Sequence, residues 1–354
     1  MRRILVVGGA GYVGSVVTEE LVQRGYAVRV LDRCYFGDGG LRAVRERIEL
    51  VRADMRAVAP SVLDGVDAVV NVGGLSNDPT AEYNPRANHE INTAATTMLA
   101  RLCKDHGVRR YVLASSCSVY DHGVLDERAD VLQDEIAHVA PRAPYSASKY
   151  QAEEALRAMA TDGFCPVILR KGTIYGYSPR MRYDLVVNTF VRHALAGEPL
   201  TLHYGGEMWR PLVDVRDAAQ AYVALIEADE AAVRGEIFNL CYQNLRISEL
   251  ALRVRESLRR LGIEIDVRPD YQQGAVRNYR VSGEKMARVL NFRPKVSIEE
   301  SVTDMVQRIR ADGRTDFANP RYYNIRWLQS LEDARKASGI PGSVLDAPTN
   351  GLPQ

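Results

Sequence analysis

Between residues 8 and 14 the chain reads Gly8-Gly9-Ala10-Gly11-Tyr12-Val13-Gly14. An apolar, β-branched run, Ile4–Val7, precedes it. After it, Val13, Val16, Val17 and Leu21 recur at helical spacing and Gly25 follows the end. This predicts a buried strand, a tight glycine turn and a helix over 12–24. The run satisfies G-x-G-x-x-G at 9, 11 and 14, and G-x-x-G-x-x-G at 8, 11 and 14. Glycine permits the turn and lets backbone approach a pyrophosphate, while the helix N-terminus offers free N–H groups and partial positive charge. A second apolar run, Val28–Leu31, ends at Asp32, 18 residues after Gly14. A carboxylate there can accept hydrogen bonds from ribose hydroxyls and repels a 2′-phosphate. The reading is a dinucleotide site for NAD rather than NADP, with Gly8, Gly11, Tyr12, Val13, Gly14 and Asp32 as contacts. Arg33, beside Asp32, weakens that preference slightly.

The same rhythm continues. Strands are expected over 48–53, 67–72, 110–114 and from Pro166, with helices over about 87–105 and 145–160. Alternating strands and helices imply βαβ units, hence an α/β fold with a doubly wound parallel sheet of Rossmann type. After residue 170 the rhythm breaks into loops rich in Gly, Pro and Arg, such as YGYSPRMRYD and HYGGEMWRP. A smaller, mainly C-terminal substrate domain is therefore expected over 171–340, beside a cofactor domain over 1–170. A segment near 212–241 reads as helix then strand and could return to the first domain. Residues 341–354 carry little apolar content and are expected to form a flexible tail.

Two domains suit a length of 354 residues. A net charge of +1 gives no global field toward nucleic acid or an anionic membrane. No segment approaches the roughly 20 apolar residues that span a bilayer. The five cysteines, Cys34, Cys103, Cys117, Cys165 and Cys241, are scattered, which fits a reducing, cytoplasmic compartment better than a disulfide scaffold. The six histidines show no ligand spacing, so no metal is expected.

Tyr145-Ser146-Ala147-Ser148-Lys149 forms a Y-x-x-x-K at a predicted helix start. Positions i and i+4 share a helix face, and a lysine ammonium beside a tyrosine favours the phenolate. A bound nicotinamide cation would add to this effect, making Tyr145 a usable general base. Ser115-Ser116-Cys117-Ser118 follows the strand 110–114, at its carboxyl end, where open α/β sheets bind ligands. A hydroxyl there can hydrogen-bond a reacting oxygen.

GGAGYVG, VLDR, RAD ending at Asp54, SSCSVY, YSASK, YGYSPR and WRPLVDVRDAAQA together resemble the extended short-chain dehydrogenase/reductase family, in its NAD-dependent epimerase/dehydratase branch acting on nucleotide sugars. The resemblance spans about residues 3–335. It implies Ser116 as the catalytic hydroxyl, Tyr145 as the base, and Lys149 as the lysine that also holds the nicotinamide ribose. It implies that Asp54, with Met55 beside it, approaches the adenine and that Asn92 joins the hydrogen-bond network below Lys149. Asn188 and Arg210 match positions that hold the nucleotide and its diphosphate. Arg277, in AVRNYRV, is a further contact. Arg180 and Arg182 are weaker candidates, because a loop with two arginines is more often solvated. Ser76 and Asn77, in the loop after the fourth strand, complete the substrate contacts.

Relatives that make 4-keto-6-deoxy sugars carry Asp-Glu directly after the catalytic Ser/Thr, where this chain has Cys117 and Ser118. A dehydratase of that design is disfavoured. Cys117 itself has two readings, an acid/base beside Ser116 or a small buried hydrophobe. The expectation is an NAD-dependent nucleotide-sugar epimerase, inverting C4 through a transient 4-keto sugar. A dehydrogenase or 4-ketoreductase, an atypical dehydratase using Cys117, and a non-catalytic NAD-binding regulator are the alternatives. The resemblance also implies a homodimer through helices near 87–105 and 145–160.

Overall fold

The computed structural model describes residues 2–121, 130–271 and 277–348. Seven strands form the central sheet: β1 Arg3–Val7, β2 Ala27–Asp32, β3 Ile48–Arg52, β4 Ala68–Asn71, β5 Arg110–Ser116, β6 Cys165–Lys171 and β7 Ile237–Leu240. Their order is β7-β6-β5-β4-β1-β2-β3, and every pair is parallel. Ile4, Leu5 and Val6 are fully buried, as a strand covered on both faces requires. Helix α1, Tyr12–Gln23, buries Val17 and Leu21 and ends at Gly25, whose φ is +85°. Burying each such side chain contributes about 1.5–3 kcal/mol.

Strand order reverses between β1 and β4, and there a crevice opens at the carboxyl ends of the strands. The turn after β1 and the loop after β4 are its two lips. A helix at Val215–Glu227 packs against α1, and the strand that follows, β7, pairs with β6 at the sheet's edge. A second sheet borders the crevice through Thr173 and Ile174. In it Trp209–Asp214 runs antiparallel to Gln243–Arg246 and parallel to Thr173–Tyr175.

Two expectations need correction. The helix over 87–105 is interrupted: Pro85–His89 and Thr96–Asp105 are α-helical, but Glu90–Ala95 forms a π turn. Asn92 lies in that turn and holds the loop after β4, so a tertiary contact accompanies the local irregularity. The tail is also not uniformly free. Leu345 is 1% exposed and packs with Leu328 in the core on one side of the sheet. Arg33, Tyr35 and Arg56 donate hydrogen bonds to the carbonyls of Asp346, Val344 and Leu345 respectively. One leucine and three carbonyls anchor this segment despite its polar composition. Residues 349–354 of the expected tail lie outside the described residues.

Candidate active site

The glycine turn is built for close approach. Gly8 has φ +77°, and a Cβ there would lie 2.6 Å from Gly73 Cα. A Cβ on Gly14 would lie 2.0 Å from the Gly8 carbonyl oxygen. Gly11 begins α1 without a side-chain cap, so the first N–H groups of the helix lack a side-chain oxygen. Asp32 closes the turn from β2: its carboxylate accepts from the N–H of Ala10 at 2.9 Å and of Cys34 at 2.6 Å. A cradle without side chains, facing a helix N-terminus and a strand-end carboxylate, fits a dinucleotide.

Two cavities meet at this turn. One is lined by Asp32, Arg33, Tyr35, Asp54, Met55 and Leu328. Here Asp54 is gripped by Arg56 and Arg33, each at 2.7 Å. Burial would raise its carboxyl, but the Arg56 hydrogen bonds outweigh this and hold it below the ordinary range. The other cavity runs from Gly11, Tyr12 and Val13 past Gly74 to Ser116, Tyr145 and Lys149. The sheet and helix α2, Pro144–Arg157, bring these three residues together.

Ser116 hydrogen-bonds Tyr145, and the Lys149 ammonium lies 6.0 Å from the centre of the tyrosine ring. Burial raises the Tyr145 hydroxyl above its ordinary value, opposed by Arg277 and by the Ser116 bond. The downward pull on the tyrosine therefore comes from Arg277, whereas the Y-x-x-x-K spacing pointed to Lys149. Burial lowers Lys149 to about 8 against the pull of Glu153. Asn92 Nδ2 donates to the Leu75 carbonyl at 2.8 Å, and its Oδ1 accepts from the Leu75 N–H at 2.9 Å. That pins the loop carrying Gly74, where a Cβ would lie 2.4 Å from Asn92 Oδ1 and 3.4 Å from Lys149 Nζ.

Arg180 and Arg182 are buried, not solvated. Arg182 pairs with Asp184 at 2.9 Å and donates to Ser76 at 3.0 Å. Arg180 stacks its guanidinium 3.8 Å from the Phe36 ring centre and donates to Asn324 at 2.7 Å. Arg180 thus stands beside the glycine turn while lining the same cavity as Arg182 and Arg277. Burial and then Arg182 lower it to about 9. Arg277 pairs with Asp78 (Nε–Oδ2 2.6 Å) and lies 5.6 Å above the Tyr145 ring. Arg210 instead donates to the backbone carbonyls of Trp209 and Arg277. Asn188 is fully buried, accepting from Gly176 and donating to Tyr12 and the Arg182 carbonyl. Neither Arg210 nor Asn188 lines the cavity; each braces a residue that does. Asn77 caps the helix Asp78–Tyr83 through Thr80, with φ +78°.

Cys117 is fully buried, its thiol donating to the Arg170 carbonyl at 3.1 Å. Burial pushes the thiol well above its ordinary value. It does not line the cavity, which corrects the acid/base reading in favour of the buried hydrophobe.

Sequence reasoning missed Lys171, at the end of β6, which lines the same cavity. It also missed Glu153, one helical turn beyond Lys149, which is fully buried and pairs with Arg170 at 2.5 Å. The i+4 spacing of Lys149 and Glu153 was the available signal. Among the described residues, the cations lining this cavity are Lys149, Lys171, Arg180, Arg182 and Arg277, and no Asp or Glu lines it. Among the described residues no helix is long and apolar enough to cross a membrane.

Comparison with known proteins adds the following. A sequence model described as the NAD dependent epimerase/dehydratase family matches residues 4–241. A UDP-glucuronic acid decarboxylase 1 from Xenopus tropicalis is 32% identical over 234 residues, covering 64% of this chain and 54% of the relative. The chain thus spans about half the length of that relative. A putative UDP-glucose 4-epimerase from Methanocaldococcus jannaschii is 26% identical over 322 residues, 88% of this chain and 100% of the relative. The solved UDP-glucose 4-epimerase of Thermus thermophilus in complex with NAD superimposes with a TM-score of 0.72 at 26% identity. That match covers 87% of this chain and 99% of the other.

Proposed function

Because the chain belongs to the NAD-dependent epimerase/dehydratase family of extended short-chain dehydrogenases/reductases that act on nucleotide sugars, we propose that it is a nucleotide-sugar 4-epimerase. The observation that carries this reading is a cavity joining Ser116, Tyr145 and Lys149 to three arginines, with no carboxylate among the described residues of its wall. Eliminating water from a sugar needs an acid and a base beyond the tyrosine, and the described residues lining this cavity include no carboxylate to supply them. Inverting a carbinol centre needs only the tyrosine, a hydride acceptor and room to turn the sugar.

In this reading Gly8, Gly11, Tyr12, Val13 and Gly14 hold the NAD diphosphate, with Arg180 beside them. Asp32 takes the adenosine ribose, and Arg33, Asp54 and Met55 border the adenine. When bound, NAD supplies an acceptor that takes a hydride from carbon and can return it. Tyr145 as phenolate removes the proton of the C4 hydroxyl, and Ser116 hydrogen-bonds the same oxygen. The 4-keto sugar would turn over in the cavity, and Tyr145 would return the proton to the C4 oxygen once the other face of the sugar is presented to the cofactor side. Arg277 and Arg182 anchor the substrate diphosphate, near Ser76 and Asn77, as the pivot. Asn92 and Lys149 keep the cofactor side in register. The protein would act in the cytoplasm as a homodimer through its helices near 87–105 and 145–160.

A panel of UDP- and dTDP-sugars incubated without added cofactor tests this. An epimer should appear with no net NADH. A second reading, decarboxylation of a nucleotide-linked uronate, shares the 4-oxidation and is favoured by the decarboxylase among the relatives. Release of CO2 would establish it in place of epimerisation. Stoichiometric NADH would indicate a dehydrogenase, and a product lighter by one water a dehydratase.

A further inference from the structure

Lys171 ends β6 beside Ser116, its partner across the β5–β6 ladder. Its ammonium donates to the Ser115 carbonyl at 2.9 Å, and among the described residues no carboxylate pairs with it. Burial and the neighbouring Lys149 lower it to about 7. Two lysines thus converge on one corner of a cavity that three arginines also line. An ammonium buried without an acid is costly, and a cationic neighbour raises that cost where a neutral one does not.

What occupies that corner follows from the shape of the cavities. They are continuous at Gly8, Gly11, Gly73 and Gly74. With adenosine beside Asp32 and the diphosphate on the glycine turn, the other nucleoside must extend along the second cavity, toward Ser116, Tyr145, Lys149 and Lys171. Its nicotinamide is cationic when oxidised and neutral when reduced.

We propose that Lys171 sets the redox poise of the bound cofactor, its ammonium favouring neutral NADH over cationic NAD+ at the nicotinamide end of the cavity. Like charges a few ångströms apart in a buried site disfavour the cationic form, whereas the neutral form escapes the penalty. The bias is present while Lys171 is protonated and fades as pH rises through its titration. Among the described residues, the other charged or titratable groups around this corner are Lys149 and Tyr145 on α2, Arg277 and Tyr279, the Cys117 thiol after β5 with Cys241 and Glu135 near it, and the Glu153–Arg170 pair. They are common to every variant below, so the comparison isolates Lys171. The proposal needs the cofactor assignment and not the identity of the sugar.

Competition of NADH against the NAD+-loaded protein, read by NADH fluorescence, gives the ratio of the two affinities without any turnover. At pH 6 the wild type should favour NADH about tenfold more than Lys171→Gln, which keeps a donor for the Ser115 carbonyl but no charge. By pH 9 the two should converge. Lys171→Arg should retain the wild-type ratio at pH 6 and keep it at pH 9. A ratio at pH 6 that is the same in the wild type and Lys171→Gln would overturn the proposal. So would a variant that loses only affinity for a nucleotide sugar bearing a carboxylate, since that would place the charge on the substrate side.

Discussion

The guanidinium carbon of Arg277 lies 5.6 Å above the ring centre of Tyr145, and Asp78 fixes the arginine there. The arginine comes from the second half of the chain, yet it is the group that pulls the tyrosine down most strongly. Arg277→Met should therefore do two things. It should reduce kcat/KM about 100-fold through loss of the diphosphate anchor. It should also move the acidic limb of the pH–rate profile upward, because a phenolate without its cation forms at higher pH. A fall in rate with an unmoved limb would confine Arg277 to binding.

Tyr145→Phe removes the proton acceptor while leaving the ring under Arg277. We expect turnover to fall about 10²–10⁴-fold with cofactor content unchanged. Quantifying NAD released from the denatured protein, alongside the rate, checks both halves. Near wild-type turnover would remove the tyrosine from the mechanism.

Gly14→Ala should prevent cofactor binding, because the new methyl would meet the Gly8 carbonyl oxygen at 2.0 Å. That oxygen is backbone in a turn already held against Gly73, so it cannot swing aside. The expected outcome is a protein purified without NAD, and NAD should no longer raise its Tm. Retention of a full complement of NAD would show that the turn can relax.

Asp32→Asn should weaken NAD about tenfold and narrow the preference over NADP, since it removes the charge that repels a 2′-phosphate. The amide retains an acceptor for only one of the two backbone N–H groups that Asp32 now serves. Isothermal titration with both dinucleotides distinguishes a loss of discrimination from a collapse of the turn, which would weaken both alike.

How far the sequence reached follows physical range. The glycine turn, Asp32, the parallel strands and the Ser116–Tyr145–Lys149 constellation depend on local spacing, and each is legible in a short window. The π turn at Glu90–Ala95 is not, because what accompanies it is Asn92 reaching a loop 17 residues away. The burial of Arg180 and Arg182 depends on Phe36, Asn324 and Ser76, all remote in the chain. Lys171 carries no motif at all, since one lysine at a strand end is ordinary until a second stands beside it. Asn188 and Arg210 are expected in the site from the resemblance, but whether a side chain faces a cavity or braces its wall is decided by packing.

Leu345→Asp would place a charge in the core behind the adenosine cavity, and NAD should then be lost on dialysis faster than from the wild type. A wild-type half-life would show that the segment only covers the sheet. The contacts of Arg33, Tyr35 and Arg56 with residues 344–346 also set an order of events during synthesis. Arg56 leaves the ribosome 289 residues before the Leu345 carbonyl that it holds, and the glycine turn and first strands leave earlier still. A nascent chain can fold its first βαβ units, yet the wall behind the adenosine cavity stays unfinished until translation has passed residue 346.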